Sequence, residues 1–176
     1  MREYFMKTKR IGFSKWKVTD SDLAIQLWGD QEVTRLICAK GRFTQEEIKK
    51  RLQAEVFNYE LYDIQYWPIF ELATKELIGC SGIRPFNIEE GRWEIGTHLR
   101  PKYWSQGYGL EASKAVIDYS FNIFKVNTLF AGHHPQNQAS EKLLKKLGFQ
   151  YIGKSFYEPT GLFHPSYELV AKNRLV

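Results

Sequence analysis

The sequence predicts a mixed α/β (α+β) domain with a largely antiparallel sheet of about seven strands and about four flanking helices. Segments with strand-like alternation precede, bracket and follow a pair of helical segments, which is typical of this class. The chain has 176 residues, 43% of them hydrophobic, which suffices for one core. No internal repeat and no Pro/Gly/Ser-rich linker divides it. We therefore expect one domain over residues 1–176.

The N-terminal segments predict one strand followed by one helix. Imperfect alternation in RIGFSKWKV predicts a strand over residues 10–18. Thr19 or Asp20 can cap the helix that follows, and Gly29 ends it. The apolar residues assigned to this helix are Leu23, Ile25 and Leu27.

The segment FTQEEIKKRLQAEVFNY predicts a longer helix. Thr44 and Glu47 have the spacing of a capping box at its start. Apolar residues then recur every four positions at Ile48, Leu52 and Val56, which indicates one buried face.

Three strand-like runs follow this helix. They are YWPIFELA (66–73), ELIGCSGIRPF (76–86) and RWEIGTHLR (92–100). Short turns separate them at residues 74–75 and 89–91, so they predict an antiparallel meander.

The last third predicts two helices and three strands. A helix from about Gly107 to Phe124 should bury one face, and a second helix should end where Gly148 takes the C′ position. Strands are expected over residues 127–134, 149–156 and 165–172. The first helix should bury Ala112, Ala115, Val116, Tyr119 and Ile123; the second should bury Ala139, Leu143, Leu144 and Leu147.

Composition limits the classes of function. The net charge of +5 favours an anionic partner such as a phosphorylated cofactor or nucleic acid, although the basic residues are scattered. Cys38 and Cys80 lack CxxC or zinc-ligand spacing, so neither a disulfide framework nor a zinc site is expected. No signal peptide or long apolar segment is visible, which predicts a cytoplasmic protein. No metal site is expected from the spacing of the histidines His133, His134 and His164.

A predicted strand passes into a predicted helix at YWSQGYGLEAS (103–113), where Gly107 and Gly109 lie close together. The first N–H groups of a helix have no acceptor within it, and the helix dipole makes them a site for a pyrophosphate. Glycine leaves these groups accessible. The dinucleotide pattern GxGxxG would need glycine at Ala112, and no Gly-Lys-Ser/Thr follows at this junction. A tight turn without a ligand remains the alternative.

About 30 residues later the chain continues as HHPQNQASEKLLKKLGF. Together with EIGTHLRPKYWSQGYGLEA, this segment resembles the GNAT superfamily of acyl-coenzyme A (CoA) dependent N-acyltransferases, particularly its RimJ/RimL-like branch. The resemblance runs from about Leu77 to Gly153 and is looser in the N-terminal third. It implies a GNAT-like fold and an N-acetyltransferase that moves an acetyl group from acetyl-CoA to a primary amine. Such transfer is direct, through a tetrahedral intermediate.

The resemblance also implies a cofactor site. Backbone groups of His98, Leu99 and Arg100 would pair with the pantetheine arm as an added strand does. Trp104 stands where the family usually has Gln or Arg, a departure that is common in this branch. Asn137 matches a CoA contact, with an ordinary helix N-cap as the alternative. The amides implied to hold the pyrophosphate are those of Gln106, Gly107, Tyr108, Gly109 and Leu110.

Acylation of an amine needs a base for the amine proton and an acid for the departing thiolate. Alternation along RWEIGTHL places Glu94 and His98 on one strand face. Glu94 is the first choice as base, with a salt bridge to Arg92 as the purely structural alternative, and His98 is the second choice. Ser140 matches a serine implicated in this branch as the acid and as part of the CoA site. A first-turn structural role is its alternative.

The acceptor is the least determined part. A protein N-terminus and a small-molecule amine both remain open, whereas a polyamine would call for a concentrated acidic cleft. The alternative function is a non-catalytic acyl-CoA-binding module or a ribosome- or RNA-associated module, although no basic run interleaved with aromatics supports stable nucleic-acid binding. A homodimer is compatible with the sequence, and no membrane partner is expected. Aromatic residues that could line the acceptor site are Trp28, Tyr62, Tyr66, Trp67, Tyr157 and Phe163, most of them better explained by core packing.

Overall fold

The computed structural model describes residues 2–173, which form one eight-stranded sheet flanked by helices. The predicted domain also includes residues 1 and 174–176, which lie outside the described residues. The strands are β1 (Met6–Lys7), β2 (Ile11–Phe13), β3 (Tyr66–Glu71), β4 (Leu77–Asn87), β5 (Arg92–Leu99), β6 (Thr128–Gly132), β7 (Gln150–Tyr157) and β8 (Leu162–Val170). The α-helices are α1 (Ser21–Trp28), α2 (Gln31–Thr34), α3 (Gln45–Tyr62), α4 (Tyr108–Asn122) and α5 (Gln138–Lys146). The mixed, largely antiparallel class is therefore confirmed, with eight strands instead of about seven.

The order of strands in the sheet is β1-β2-β3-β4-β5-β6-β8-β7. The predicted meander of β3, β4 and β5 is confirmed, and every neighbouring pair is antiparallel except β5 and β6. These two parallel strands pair only at Arg92, Trp93 and Glu94, opposite Thr128, Leu129 and Phe130. Beyond Glu94, β5 continues without β6 as a partner, so the sheet opens there.

Two apolar layers cover the two faces of the sheet. One cluster packs α4 and α5 against it through residues such as Ala112, Val116 and Leu144. The other packs α1 and α3 through residues such as Leu27 and Leu52. Each helix thereby buries one apolar stripe, which supplies most of its stability. The open part of the sheet between β5 and β6 lies between these two layers.

The N-terminal third differs from its prediction in several places. The predicted strand over residues 10–18 is regular only over β2, and β1 and α2 were not predicted, because elements of two to four residues carry little periodicity. In α1 the buried residues are Ala24, Leu27 and Trp28, whereas Ile25 is 46% exposed. Ile25 was wrongly assigned to the buried face. It lies two residues from Leu23 and from Leu27, and residues two apart in a helix do not share a face. Asp20 precedes α1 but its side chain does not cap it, since it accepts from Arg2 instead.

The longer helices follow their predictions more closely. The capping box of Thr44 and Glu47 is formed at the start of α3. In α4 the predicted stripe holds except at Ile123, which lies beyond the last helical turn and is 66% exposed. In α5 the predicted burial of Ala139 is wrong, since this residue lies on the exposed side of the first turn. Gly148 follows α5 with φ of 85°, as a C′ glycine does. Over the described residues, every helix is too short or too polar to cross a membrane.

Candidate active site

The glycine junction forms an open cluster of backbone amides at the start of α4. Ser105 and Gly107 both have positive φ, 58° and 82°, so the chain turns sharply and directs successive N–H groups outward, as in an anion-binding nest. The first amide of this segment with a helical acceptor is Glu111, which donates to Gly107. No acceptor among residues 2–173 is found for the preceding amides, those of Gln106, Gly107, Tyr108, Gly109 and Leu110. This arrangement fits a pyrophosphate.

Arg10 holds this junction in place, a role that the sequence did not indicate. Its Nε donates to Glu111 at 2.7 Å and its Nη1 donates to the carbonyl of Gln106 at 3.1 Å. The guanidinium also stacks on the ring of Tyr108, 4.0 Å from its centroid. Thr8 donates a further hydrogen bond to Glu111 at 2.6 Å. The edge of the sheet at β1 and β2 thus fixes the shape of a loop about 100 residues away.

A cleft opens where β5 leaves β6. We define it by the lining residues Glu94, Thr97, His98, Phe130, Asn137 and Ser140. Gly109 lies at the end of the cleft that is next to the amide cluster. A Cβ atom at this glycine would lie 3.5 Å from Cδ1 of Leu99 and 3.8 Å from Cδ2 of Leu143. The missing side chain therefore leaves a gap beside Leu99 of β5 and Leu143 of α5, and Leu143 also lines the cleft.

Alternate residues of β5 direct their backbone N–H and C=O groups toward this cleft. The N–H of Arg100, directly after β5, donates to the carbonyl of Ile78 in β4. Hydrogen-bonding groups alternate in direction along a strand. The backbone groups of His98 therefore also face β4, and only Leu99 of the three predicted pantetheine contacts faces the cleft. Its carbonyl already accepts from the Trp104 indole at 2.8 Å. The prediction for the Arg100 N–H is wrong, since a β-ladder bond uses it. By this alternation, the backbone N–H and C=O groups that face the cleft are those of Ile95, Thr97 and Leu99.

Glu94 lies at the last pairing position of β5 with β6, where the cleft begins. Its carboxylate accepts from Nε of Arg84 on β4 at 2.6 Å. The predicted alternative partner, Arg92, instead pairs with Glu90 and Glu168. Glu94 and His98 share a strand face as predicted, because residues two and four apart in β5 point the same way.

His98 is held as a neutral imidazole. The indole N–H of Trp28 donates to its Nδ1 at 3.2 Å, so the ring proton must sit on Nε2. Burial, with the nearby guanidiniums of Arg51 and Arg84 adding to it, lowers the pKa of His98 to about 3. His98 can therefore donate a hydrogen bond into the cleft but takes up no proton near neutral pH.

This lowered pKa of His98 predicts a pH dependence of stability. Below its ordinary pKa of 6.5 the unfolded chain takes up a proton at His98 that the folded protein does not, so the free energy of unfolding falls as the pH falls. Above pH 6.5 His98 is neutral in both states and has no such effect. Between pH 6.5 and about 3, the free energy of unfolding falls by at most about 1.4 kcal/mol per pH unit. We expect urea unfolding to show a shallower dependence in His98→Gln than in the unchanged protein. Equal slopes would contradict the buried neutral state.

Asn137 and Ser140 form the start of α5 beside the cleft. The side-chain oxygen of Asn137 accepts from the Ser140 N–H at 3.1 Å, so the helix-cap alternative for Asn137 is confirmed. The side-chain nitrogen Nδ2 of Asn137 and the hydroxyl of Ser140 have no partner among residues 2–173. Both residues line the cleft, so their predicted contacts with CoA and its sulfur remain compatible with the geometry.

The aromatic residues proposed for the acceptor side divide into two groups. Tyr66 and Tyr157 line the cleft. Trp28 and Trp67 are buried in the two cores, Tyr62 packs on Trp93, and Phe163 is exposed. Two arginines that the sequence analysis did not single out, Arg51 of α3 and Arg84 of β4, also line this side. Only the folded sheet brings them together, so no local sequence signal could have identified them.

A second phosphate-binding pattern in the sequence is not a phosphate loop. Residues 148–155, GFQYIGKS, have the letter spacing of a P-loop, a motif that was not expected in this chain. In the structure this segment runs from the end of α5 into β7, with no helix after the Gly-Lys-Ser. A P-loop needs the opposite order, a strand followed by a helix N-terminus.

The comparisons with known proteins agree with this geometry. The family model for the acetyltransferase (GNAT) domain matches residues 10–150. The chain is 32% identical over 147 residues to the uncharacterized N-acetyltransferase p20 of Bacillus licheniformis, covering 83% of this chain and 82% of that protein. It is 29% identical over 91 residues to the [ribosomal protein uS5]-alanine N-acetyltransferase of Escherichia coli, covering 50% and 46% respectively.

The fold is also found among solved structures. The crystal structure of a GNAT-family acetyltransferase from Bacillus anthracis matches with a TM-score of 0.79 at 22% identity, over 95% of this chain and 98% of that one. GNAT enzymes use acetyl-CoA as co-substrate, and the amide cluster with its adjoining cleft fits that molecule. The chain therefore belongs to the GNAT acetyltransferase family and is an acyl-CoA-dependent N-acetyltransferase.

Proposed function

We propose that this enzyme transfers an acetyl group from acetyl-CoA directly to a primary amine that enters the cleft from the side of α1 and α3. The observation that carries this proposal is the continuity of the site. Free amides before and within the first turn of α4 adjoin the gap at Gly109, and Leu143, which borders this gap, lines the same cleft as Glu94. Acetyl-CoA supplies the thioester whose acetyl carbon is attacked.

In this proposal the amides from Gln106 to Leu110 bind the pyrophosphate, and the positive end of the α4 dipole adds to their attraction. Arg10 keeps the loop in the binding shape through its contacts with Gln106 and Glu111. Trp104 stands at the end of β5, with its indole bound to Leu99. Asn137 and Ser140 contact the co-substrate from the start of α5.

Glu94 is proposed to take the amine proton, directly or through water. It is preferred over His98 because the only ring nitrogen of His98 that could accept a proton already accepts from Trp28. The amine nitrogen then bonds to the acetyl carbon to form a tetrahedral intermediate, and the carbon–sulfur bond breaks when this intermediate collapses. Ser140 is proposed to donate a hydrogen bond to the departing sulfur, which leaves as the thiol of free CoA.

The acceptor is proposed to be a protein N-terminus or a small-molecule amine. The name of the Escherichia coli relative, an alanine N-acetyltransferase of ribosomal protein uS5, supports the first kind. The enclosed shape of the acceptor side supports the second, as developed below.

The proposed function predicts two responses to acetyl-CoA. At about 100 times its dissociation constant, acetyl-CoA should stabilise the protein by about 2.7 kcal/mol, which raises Tm by about 5–10 °C. Amine mixtures added next should release free thiol. Stabilisation without thiol release from a broad amine panel would indicate an acyl-CoA-binding module. Retention of RNA at about 0.2 M salt without any response to acetyl-CoA would indicate a nucleic-acid-binding module.

A further inference from the structure

Two guanidinium groups face the acceptor side of the cleft. We call this part the acceptor pocket and define it by Arg51, Tyr66, Arg84, Glu94, Tyr157 and His164. Both guanidiniums lie near the ring of Tyr66, whose centroid is 5.2 Å from the guanidinium carbon of Arg51 and 5.4 Å from that of Arg84. The two cations thus line the same pocket around one phenol.

Both arginines have side-chain nitrogen atoms that donate no hydrogen bond within the described residues. Arg84 donates from Nε to Glu94, while no hydrogen bond to residues 2–173 is found for its two Nη atoms. Arg51 forms an ion pair from Nη2 to the buried Glu55 at 2.8 Å. Its Nε and Nη2 lack a well-directed hydrogen bond, and its Nη1 has no partner among the described residues. Because guanidinium donors near the interior are costly when unpaired, these free donors indicate a ligand with acceptor oxygens.

The electrostatics of the acceptor pocket point the same way. Its charged lining residues are Arg51, Arg84 and Glu94, and both arginines are ion-paired, Arg51 with the buried Glu55 and Arg84 with Glu94. Burial lowers the pKa of His98 to about 3, and burial likewise lowers the pKa of His164 below its ordinary value. These imidazoles are therefore neutral and do not change the balance. A polycationic amine finds no excess negative charge here, whereas an amine that carries its own carboxylate offers acceptor oxygens to the guanidinium donors that the two ion pairs leave unused.

The acceptor pocket is also covered. The N–H of Ala39, in the loop between α2 and α3, donates to the carbonyl of Pro159, in the turn between β7 and β8, at 2.6 Å. Leu36 and Ile37 of the same loop line the pocket, as does Tyr157. This contact joins the two loops beside the pocket, which favours a small molecule over a protein chain that must leave it again.

We propose that the acceptor is a small α-amino acid whose carboxylate binds between Arg51 and Arg84 while its amine lies next to Glu94. This inference rests on the proposed function. The carboxylate accepts hydrogen bonds from the unpaired Nη atoms of the two arginines. The ammonium group first gives one proton to Glu94 or water. The nitrogen then bonds to the acetyl carbon to give a tetrahedral intermediate, the carbon–sulfur bond breaks as this intermediate collapses, and the second amine proton ends on the sulfur, so that CoA leaves as the thiol.

The first test compares α-amino acids with their amides, because each pair has the same side chain and differs mainly in the carboxylate. With acetyl-CoA saturating, thiol release should show kcat/KM for the preferred amino acid about ten- to a hundredfold above that for its amide. This range corresponds to the loss of one charge-assisted hydrogen bond. Tripeptides that begin with the same residue are included, because an acidic peptide could offer similar chemistry.

The second test removes one guanidinium. Arg51→Met combined with Glu55→Gln avoids a buried unpaired carboxylate, and Gln can still accept the hydrogen bond that the Tyr66 N–H donates to Glu55. The acid-to-amide ratio of kcat/KM should fall to about one in this double variant, and Arg51→Lys should retain part of it. Arg42→Met is the matched control. This exposed arginine lies in the loop before α3, and its loss should leave the ratio unchanged. The Tm shift with acetyl-CoA reports that each variant is folded.

The outcomes separate this inference from the proposed function. Thiol release from amides or peptides as fast as from amino acids would overturn the inference alone. An acid preference that survives in the double variant would also overturn it, since Arg51 would not contribute. If no amine releases thiol although acetyl-CoA raises Tm, the proposed transfer itself fails, and the inference fails with it.

Discussion

Replacement of Gly109 by leucine is expected to abolish acetyl-CoA binding while the protein stays folded. Gly109 lies in the first turn of α4, and its missing side chain leaves the gap between Leu99 and Leu143. A leucine would fill that gap and stand in front of the free amides. Because leucine favours a helix more than glycine does, by up to about 1 kcal/mol, the helix itself should not suffer. We expect Kd for acetyl-CoA to rise at least about a hundredfold in calorimetry, equivalent to about 2.7 kcal/mol.

The controls for this variant separate blocked space from a damaged backbone. Gly109→Ala adds only a Cβ at ordinary contact distances, so it should bind acetyl-CoA far better than the leucine variant. Gly107→Val should also lose binding, but it adds strain because φ is 82° there. Gly161→Val, at a turn residue with φ of 69° and open space around it, has the same kind of strain away from the amide cluster. Normal binding by both Gly109→Leu and Gly107→Val would refute the assignment of the loop.

The sequence predicted the features that depend on neighbouring residues. The glycine junction and the capping box at Thr44 are local patterns, and both occur where they were expected. The two-residue period of β5 placed Glu94 and His98 on one face, because a strand has no other way to arrange alternate side chains. The order of strands and helices around the junction was enough to predict the fold class.

The features that depend on the folded sheet were not predictable in this way. Arg10 reaches Glu111 only because the turn between β1 and β2, at one edge of the sheet, lies beside α4. Glu94 pairs with Arg84 across β4 and β5, whereas the sequence suggested the nearer Arg92. The single bond from Arg100 to Ile78 decides which backbone groups of β5 face the cleft, and no periodicity reveals that choice. Arg51 reaches the acceptor pocket from α3. Charged residues occur on both the buried and the exposed side of this helix, so its charge pattern does not indicate which of them line a pocket.

The chemical step is expected to depend most on Glu94. In Glu94→Gln the amide oxygen can still accept from Arg84, so the shape of the cleft should be kept while the proton acceptor is lost. We expect kcat to fall about a hundred- to ten-thousandfold, the range for removal of a general base. The KM for acetyl-CoA should change little, because the amide cluster at α4 is untouched. Steady-state thiol release over a range of acetyl-CoA concentrations measures both quantities.

Glu168→Gln provides the matched control for this substitution. Glu168 also lies on a strand, pairs with an arginine and is similarly shielded, with its side chain 20% exposed against 16% for Glu94. It lies on β8, outside the residues that line the cleft. A loss of an ion pair would affect both variants alike, whereas a loss of the base would affect only Glu94→Gln. Equal kcat values in the two variants would therefore assign Glu94 to the support of Arg84 and leave proton removal to water or to the acceptor's own carboxylate.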